Sequence, residues 1–173
     1  MSRKILVAID GSDAGNRALA FAVEYCSKVG GDLTIMHVLM HGKPAEELER
    51  LAVTEHLVKE TASRILPDEL NLPPSLADVL AHPEADMARA VAEIGDYLVQ
   101  SARLEAEEAG AQNVRTRIER GDYADAILDV ASDIGVDLLV MGRRGLGRIG
   151  SLFLGSVSNK VLQHAQCTVT VVR

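Results

Sequence analysis

The run "VDLLVMG", Val136 to Gly142, limits the fold more than any other part of the chain. A strand with one wet face alternates apolar with polar residues, and this run shows no such alternation, so both of its faces are covered. Strands of that kind belong to parallel sheets with helices packed on either side. The other strand-like runs agree with that plan. "KILVAID" (Lys4 to Asp10) is compact and apolar and stops at a Gly-Ser-Asp turn, and "DLTIMHVL" makes a second strand. "NVRTRIE" (Asn113 to Glu119) alternates apolar with charged residues, as an edge strand does, and "TVTVV" is the last strand.

Helical patterns lie between these runs. Leu19, Ala22, Val23 and Cys26 share one helical face, with Asp13 as the expected N-cap and Gly30-Gly31 as the stop. A second helix runs from about Asp86 through Met87, Val91, Ile94 and Leu98 to Gly110. Asp122 caps a third, with Ile127, Leu128, Ala131 and Ile134 inward and Gly135 at its end. A fourth spans about Ser156 to Ala165. Strands alternating with helices give right-handed crossovers and an α/β fold with a parallel sheet covered on both faces. Ligands of such sheets sit at the carboxyl ends of the strands, near the topological switch point. Asp10, Val38 and Met141-Gly142 all fall at those ends.

One segment departs from minimal alternation. After Leu39, "PAEELERLAVTEHLVKETASRIL" reads as a helix with Leu48, Leu51, Val58, Ala62 and Ile65 near one face. A loop punctuated by Pro67, Pro73, Pro74 and Pro83 follows. Residues 43–85 are therefore expected to form a helical insert after strand 2, either a lid over a ligand, a second subunit contact, or a longer surface excursion.

At 173 residues the chain reads as one domain, 1–173, with 47% hydrophobic and 25% charged residues. Its net charge of −7 argues against a nucleic-acid partner, because phosphate backbones need a basic surface. No apolar run approaches the roughly 18–20 residues of a membrane span. Cys26 and Cys167 stand far apart in no metal-ligand pattern, which with the absence of a secretory signal points to a reducing, cytoplasmic setting. His37, His41, His56, His82 and His164 show no ligand spacing.

The glycine-rich stretch "MGRRGLGRIGSLFLGS", Met141 to Ser156, follows directly on the buried strand. It is not a Walker A loop, since Ser151 stands where a lysine must reach the phosphates. Gly145, Gly147 and Gly150 match GxGxxG by letter, but no acidic residue follows to hold a dinucleotide ribose. The wider spacing, Gly142-x2-Gly145-x9-Gly155-Ser156, resembles the nucleotide-binding signature of the universal stress protein family. "KILVAIDGSD", "DLLVMGRRGLG" and "LGSVSNKVLQHAQCTVTVV" resemble that family too, in the same order. Glycines there let backbone N–H groups approach phosphate oxygens, and the opening of the last helix favours an anion.

The resemblance implies an open, Rossmann-like five-stranded parallel sheet of order 3-2-1-4-5. It implies binding of ATP, with ADP or AMP as alternatives and Mg as a companion ion. Residue by residue, it implies that Asp10 holds the ribose or adenine end and that Ala8 and Ile9 line the base pocket. The backbone of Val38 then reads the adenine edge, Met141 and Gly142 pack near the ribose, and Gly145, Gly155, Ser156 and Val157 cradle the phosphates. It also implies a homodimer paired through the last strand, Thr168 to Val172, where an exposed apolar edge is otherwise an association liability. Cys167-Thr168 departs from the Cys-Pro pair common in the family, which leaves the effect on that pairing open.

The residues alone leave other readings open. Asp10 also suits a turn cap, Val38 is a core residue in any case, and Arg143, Arg144 and Arg148 suit solvent as well as a phosphate. Ser158 and Asn159 are explained by capping or exposure. No general base stands beside the glycine loop, so no catalytic residue is named and at most slow ATP hydrolysis is expected. The leading expectation is a stress-response regulatory module whose nucleotide occupancy alters its stability, assembly or contacts with an unknown protein partner. The alternatives are a slow metal-dependent ATPase and a dimeric interaction protein that binds no ligand.

Overall fold

The computed structural model describes residues 3–39, 84–145 and 154–173. The expected insert helix, the proline loop and Ser151, Arg148, Gly147 and Gly150 lie outside the described residues. Along the chain come β1 (Lys4–Ala8), α1 (Asp13–Val29), β2 (Asp32–Leu39), α2 (Glu84–Glu108) and β3 (Val114–Arg120). They are followed by α3 (Tyr123–Ile134), β4 (Leu138–Gly142), α4 (Ser156–His164) and β5 (Thr168–Val172). The described strands form one five-stranded sheet of order β3-β2-β1-β4-β5, with every pair parallel. This is the order 3-2-1-4-5. The switch point lies at β1, between β2 and β4, where the direction of strand addition reverses.

Each central strand feeds two cores because successive side chains point to opposite faces. Ile5 and Val7 of β1 join Leu33 and Ile35 of β2 under α1 and α2. Leu6, Met36, Leu139 and Met141 face the other way, toward α3 and α4. The described helices therefore pack in two layers around a sheet whose central strands are almost wholly buried. β4 is buried along its length until Gly142, as its unbroken apolar run requires. β3 and β5 are the two edges of the sheet.

The helix boundaries follow from local chemistry. Gly135 takes the left-handed conformation at φ 62 and closes the end of α3 with its own N–H. Asp122 caps the start of α3, accepting from the N–H groups of Ala124 and Asp125. At α1 the cap differs from the expectation. Ser12, not Asp13, is the N-cap, its Oγ accepting from Gly15 N at 3.1 Å. Asp13 falls inside the first turn, where its charge complements the helix dipole instead. The expected inward face of α1 is buried as read, while Leu128 and Ile134 of α3 are only partly covered and Val130 is buried in addition.

Candidate functional site

The carboxyl ends of β1, β2 and β4 open onto a cleft of about 470 Å³. Ala8, Ile9 and Asp10 enter it from the end of β1, and Val38 enters it from β2. Met141, Gly142 and Gly145 border it along β4 and its exit, and Gly155, Ser156 and Val157 at the start of α4. The ten residues singled out from the sequence thus lie around one cavity. Met36, His37, Tyr123, Ile127, Arg144, Leu154 and Ser158 complete its described lining.

The wall at β1 is built by a chain of short contacts. Asp10 Oδ1 accepts from the N–H of Ser12 at 3.1 Å and from its Oγ at 2.6 Å. The same Ser12 Oγ caps α1, so one carboxylate fixes both the turn and the helix start. The turn-capping reading of Asp10 is therefore correct, and its placement on the cleft adds to it. Ile9 N donates to Met36 O at 2.9 Å, carrying the sheet one residue beyond β1. Alternation then turns the backbone N–H and C=O of Val38 toward the same side, past the end of that strand. His37, almost fully buried, donates from Nδ1 to Ile9 O at 2.9 Å, which sets its tautomer.

Gly142 is required by packing. A Cβ there would lie 2.8 Å from the carbonyl carbon of Ala14 and 2.9 Å from its Cβ, so the first turn of α1 rests directly on the end of β4. Gly155 begins α4 in an extended conformation, φ −63 and ψ 156, that any residue adopts. A Cβ on it would come within 3.2 Å of Arg143 O, to which its own N–H donates at 3.0 Å. That N–H is thereby engaged. The first bond within α4 runs from Asn159 N to Gly155 O, so Ser156, Val157 and Ser158 have no acceptor inside the helix. Among the described residues no side chain caps this end, and no acidic residue lies in its first turn.

Ser158 has a role that exposure or capping does not describe. It is 2% exposed, and its Oγ reaches Gly142 O and Arg143 O, each at 3.0 Å. It ties the start of α4 to the end of β4, across the glycine-rich connection. Arg144 is half-buried at the cleft, unlike a side chain in open solvent. Tyr123 lines the cleft from the first position of α3. Its position was legible in principle, since every strand-to-helix junction of a parallel sheet lies at the carboxyl edge. Ser158 carried no such signal, because its partners lie 15 and 16 residues away in sequence.

The two helix starts bordering the cleft differ in charge. At α3 the Asp122 carboxylate fills the N-terminus, and Lys160 of α4 bonds both Asp122 at 3.2 Å and Asp125 at 2.6 Å. The Asp125 N–H bonded to Asp122, with Lys160 beside it, holds that carboxyl below the usual aspartate range. At α4 no carboxylate of the described residues takes that place, and a helix start of this kind favours an anion.

The model of the universal stress protein family matches this chain over residues 1–173. Universal stress protein YxiE of Bacillus subtilis is 34% identical over 178 residues, covering 100% of both chains. Among solved structures, universal stress protein UspA from Lactobacillus plantarum superposes with a TM-score of 0.67 at 24% identity, over 99% of this chain and 97% of that one. A universal stress protein in complex with cAMP gives 0.62 at 24% identity, over 99% and 97%. One from Archaeoglobus fulgidus in complex with dAMP gives 0.59 at 18% identity, over 100% and 98%. At those identities the solved structures show the fold alone. The match along the whole chain, together with the full-length relative, places this protein in the universal stress protein family.

Proposed function

We propose that the cleft binds an adenine nucleotide, ATP in the first place and ADP or AMP by the same contacts, with Mg accompanying the polyphosphate. The observation that carries this reading is the meeting of the uncapped α4 N-terminus with Asp10 and the Val38 backbone around one cavity. Three N–H groups without helical acceptors and a positive dipole end suit a phosphate. A carboxylate at the end of β1 suits ribose hydroxyls. The cAMP and dAMP complexes of two structural neighbours support an adenine ligand.

The protein then acts as a regulatory module in the stress response, reading nucleotide level through occupancy. A ligand that binds only the folded state at a hundredfold excess over Kd stabilises it by about 2.7 kcal/mol. That is enough to couple occupancy to persistence, to assembly through β5, or to contacts with a protein partner. The test is to purify the protein without added nucleotide, denature it and identify what is released by chromatography and mass spectrometry. Near-stoichiometric adenine nucleotide is expected. Nothing released, and no thermal shift on adding ATP, would overturn the reading and favour an interaction module that binds no ligand.

A further inference from the structure

Among the described residues two helix N-termini border the cleft, and one of the two suits a negative charge. The α3 start is filled by the Asp122 carboxylate and carries Asp125 in its first turn, with Lys160 paired to both, so its N–H groups and its cation are already engaged. Among the described residues the α4 start has neither a side-chain cap nor an acidic residue in its first turn. The phosphate end of an extended ligand therefore belongs at α4, beside β4, and its other end runs toward α3. β1 separates β4 from β2, so the two ends stand roughly 10 Å apart at ordinary strand spacing. That is room for a ribose between a phosphate and a base.

The lining at the α3 end is apolar and carries one benzene ring. Met36, Val38 and Ile127 belong to the core under α3 and α4, and Tyr123 packs on that core while also lining the cleft. Tyr123 and Ile127 stand one turn apart on α3, at neighbouring positions of one helix face. The approach to Tyr123 is anchored. Gly121, at φ 142, donates its N–H to Leu39 O at 3.0 Å, and Asp122 caps the helix immediately afterwards. A side chain whose backbone is held between a helix start and the end of β2 brings less freedom to lose when a planar group settles on its ring. Aromatic residues make up only 3% of this chain, and Tyr123 is the only tyrosine or phenylalanine among the described lining residues.

We infer that Tyr123 is the base-recognising residue of this site: its ring is the platform on which the nucleobase stacks, with Met36, Val38 and Ile127 closing around it. This rests on the nucleotide reading above and adds to it the residue that selects a base-carrying ligand over other phosphate compounds. The recognition runs through the ring face, so the hydroxyl is dispensable for affinity.

Tyrosine fluorescence tests it directly, because the chain has no tryptophan and three tyrosines. ATP is expected to quench the emission of the wild-type protein, whereas inorganic tripolyphosphate, displacing ATP in calorimetry, is not. Tyr123→Phe keeps a ring, so ATP affinity stays within about twofold while the quenching disappears. Tyr123→Leu weakens ATP by roughly fivefold to a hundredfold, the range of base–aromatic stacking, and leaves tripolyphosphate affinity unchanged. Quenching that survives in Tyr123→Phe overturns the inference, as does Tyr123→Leu binding ATP like the wild type or losing ATP and tripolyphosphate equally. Wild-type protein that binds no ATP at all defeats the nucleotide reading itself, a failure visible before any variant is made.

Discussion

Gly142 and Ala14 are in backbone contact: a Cβ on Gly142 would sit 2.8 Å from the Ala14 carbonyl carbon. The end of β4 and the first turn of α1 are thereby held as one rigid wall of the cleft. The glycine answers a close approach between segments far apart in sequence.

Substituting Gly142→Ala forces α1 off β4 or strains both. A loss of roughly 1–3 kcal/mol is expected, as for other overpacked core positions. In a chain of this size each kcal/mol lowers Tm by about 2–4 °C. Calorimetry showing an unchanged Tm would mean that α1 shifts without cost.

Ser158→Ala removes the hydroxyl shared by Gly142 O and Arg143 O, so Gly142 O loses this donor while Arg143 O keeps the Gly155 N–H. The expected cost is roughly 1–3 kcal/mol in urea unfolding. Ser156→Ala is the control, since Ser156 is exposed and α4 has no side-chain cap, so less than about 0.5 kcal/mol is expected. Equal effects at the two serines would contradict this assignment.

Asp122→Ala should cost about 1 kcal/mol at neutral pH through the lost cap. Its carboxyl titrates lower in the folded chain than in the unfolded one, chiefly because the Asp125 N–H bonds the charged form. The charge therefore adds stability above the unfolded aspartate value of about 3.9, and that gain is lost as pH falls through the lower folded value. Unfolding curves for wild type and variant should converge in acid. A gap that widens in acid would reverse the sign.

The β5 edge is polarised by its pairing with β4. Thr168 N donates to Asp137 O and Val172 O accepts from Arg143 N, so the alternation turns the backbone groups of Val169 and Val171 to the open side. Val171→Pro removes one outward donor without touching the β4 ladder. If the proposed homodimer pairs through this strand, light scattering should show the mass fall from two chains to one with circular dichroism unchanged. A dimer that persists would place the contact elsewhere.

Much of the architecture was legible because its causes are local. "VDLLVMG" reads as a doubly covered strand, and β4 is buried on both faces. Asp122 and Gly135 mark both ends of α3 because a cap and a left-handed turn are choices of single residues. The assignment of Asp13 as the cap of α1 failed for an equally local reason. Two adjacent residues could each serve, and Ser12 is held in place by Asp10, which only the folded turn brings within 2.6 Å.

Among the described residues, then, the sequence by itself determined which segments are strands, which are helices and at which sheet edge Asp10, Val38 and Gly142 emerge. Those follow from side-chain period and from the conformations open to each residue. Only the tertiary structure decided that Gly142 is a packing glycine and that Ser158 fastens α4 to β4. Each depends on the distance between segments far apart along the chain, and no period or spacing within one segment encodes such a distance.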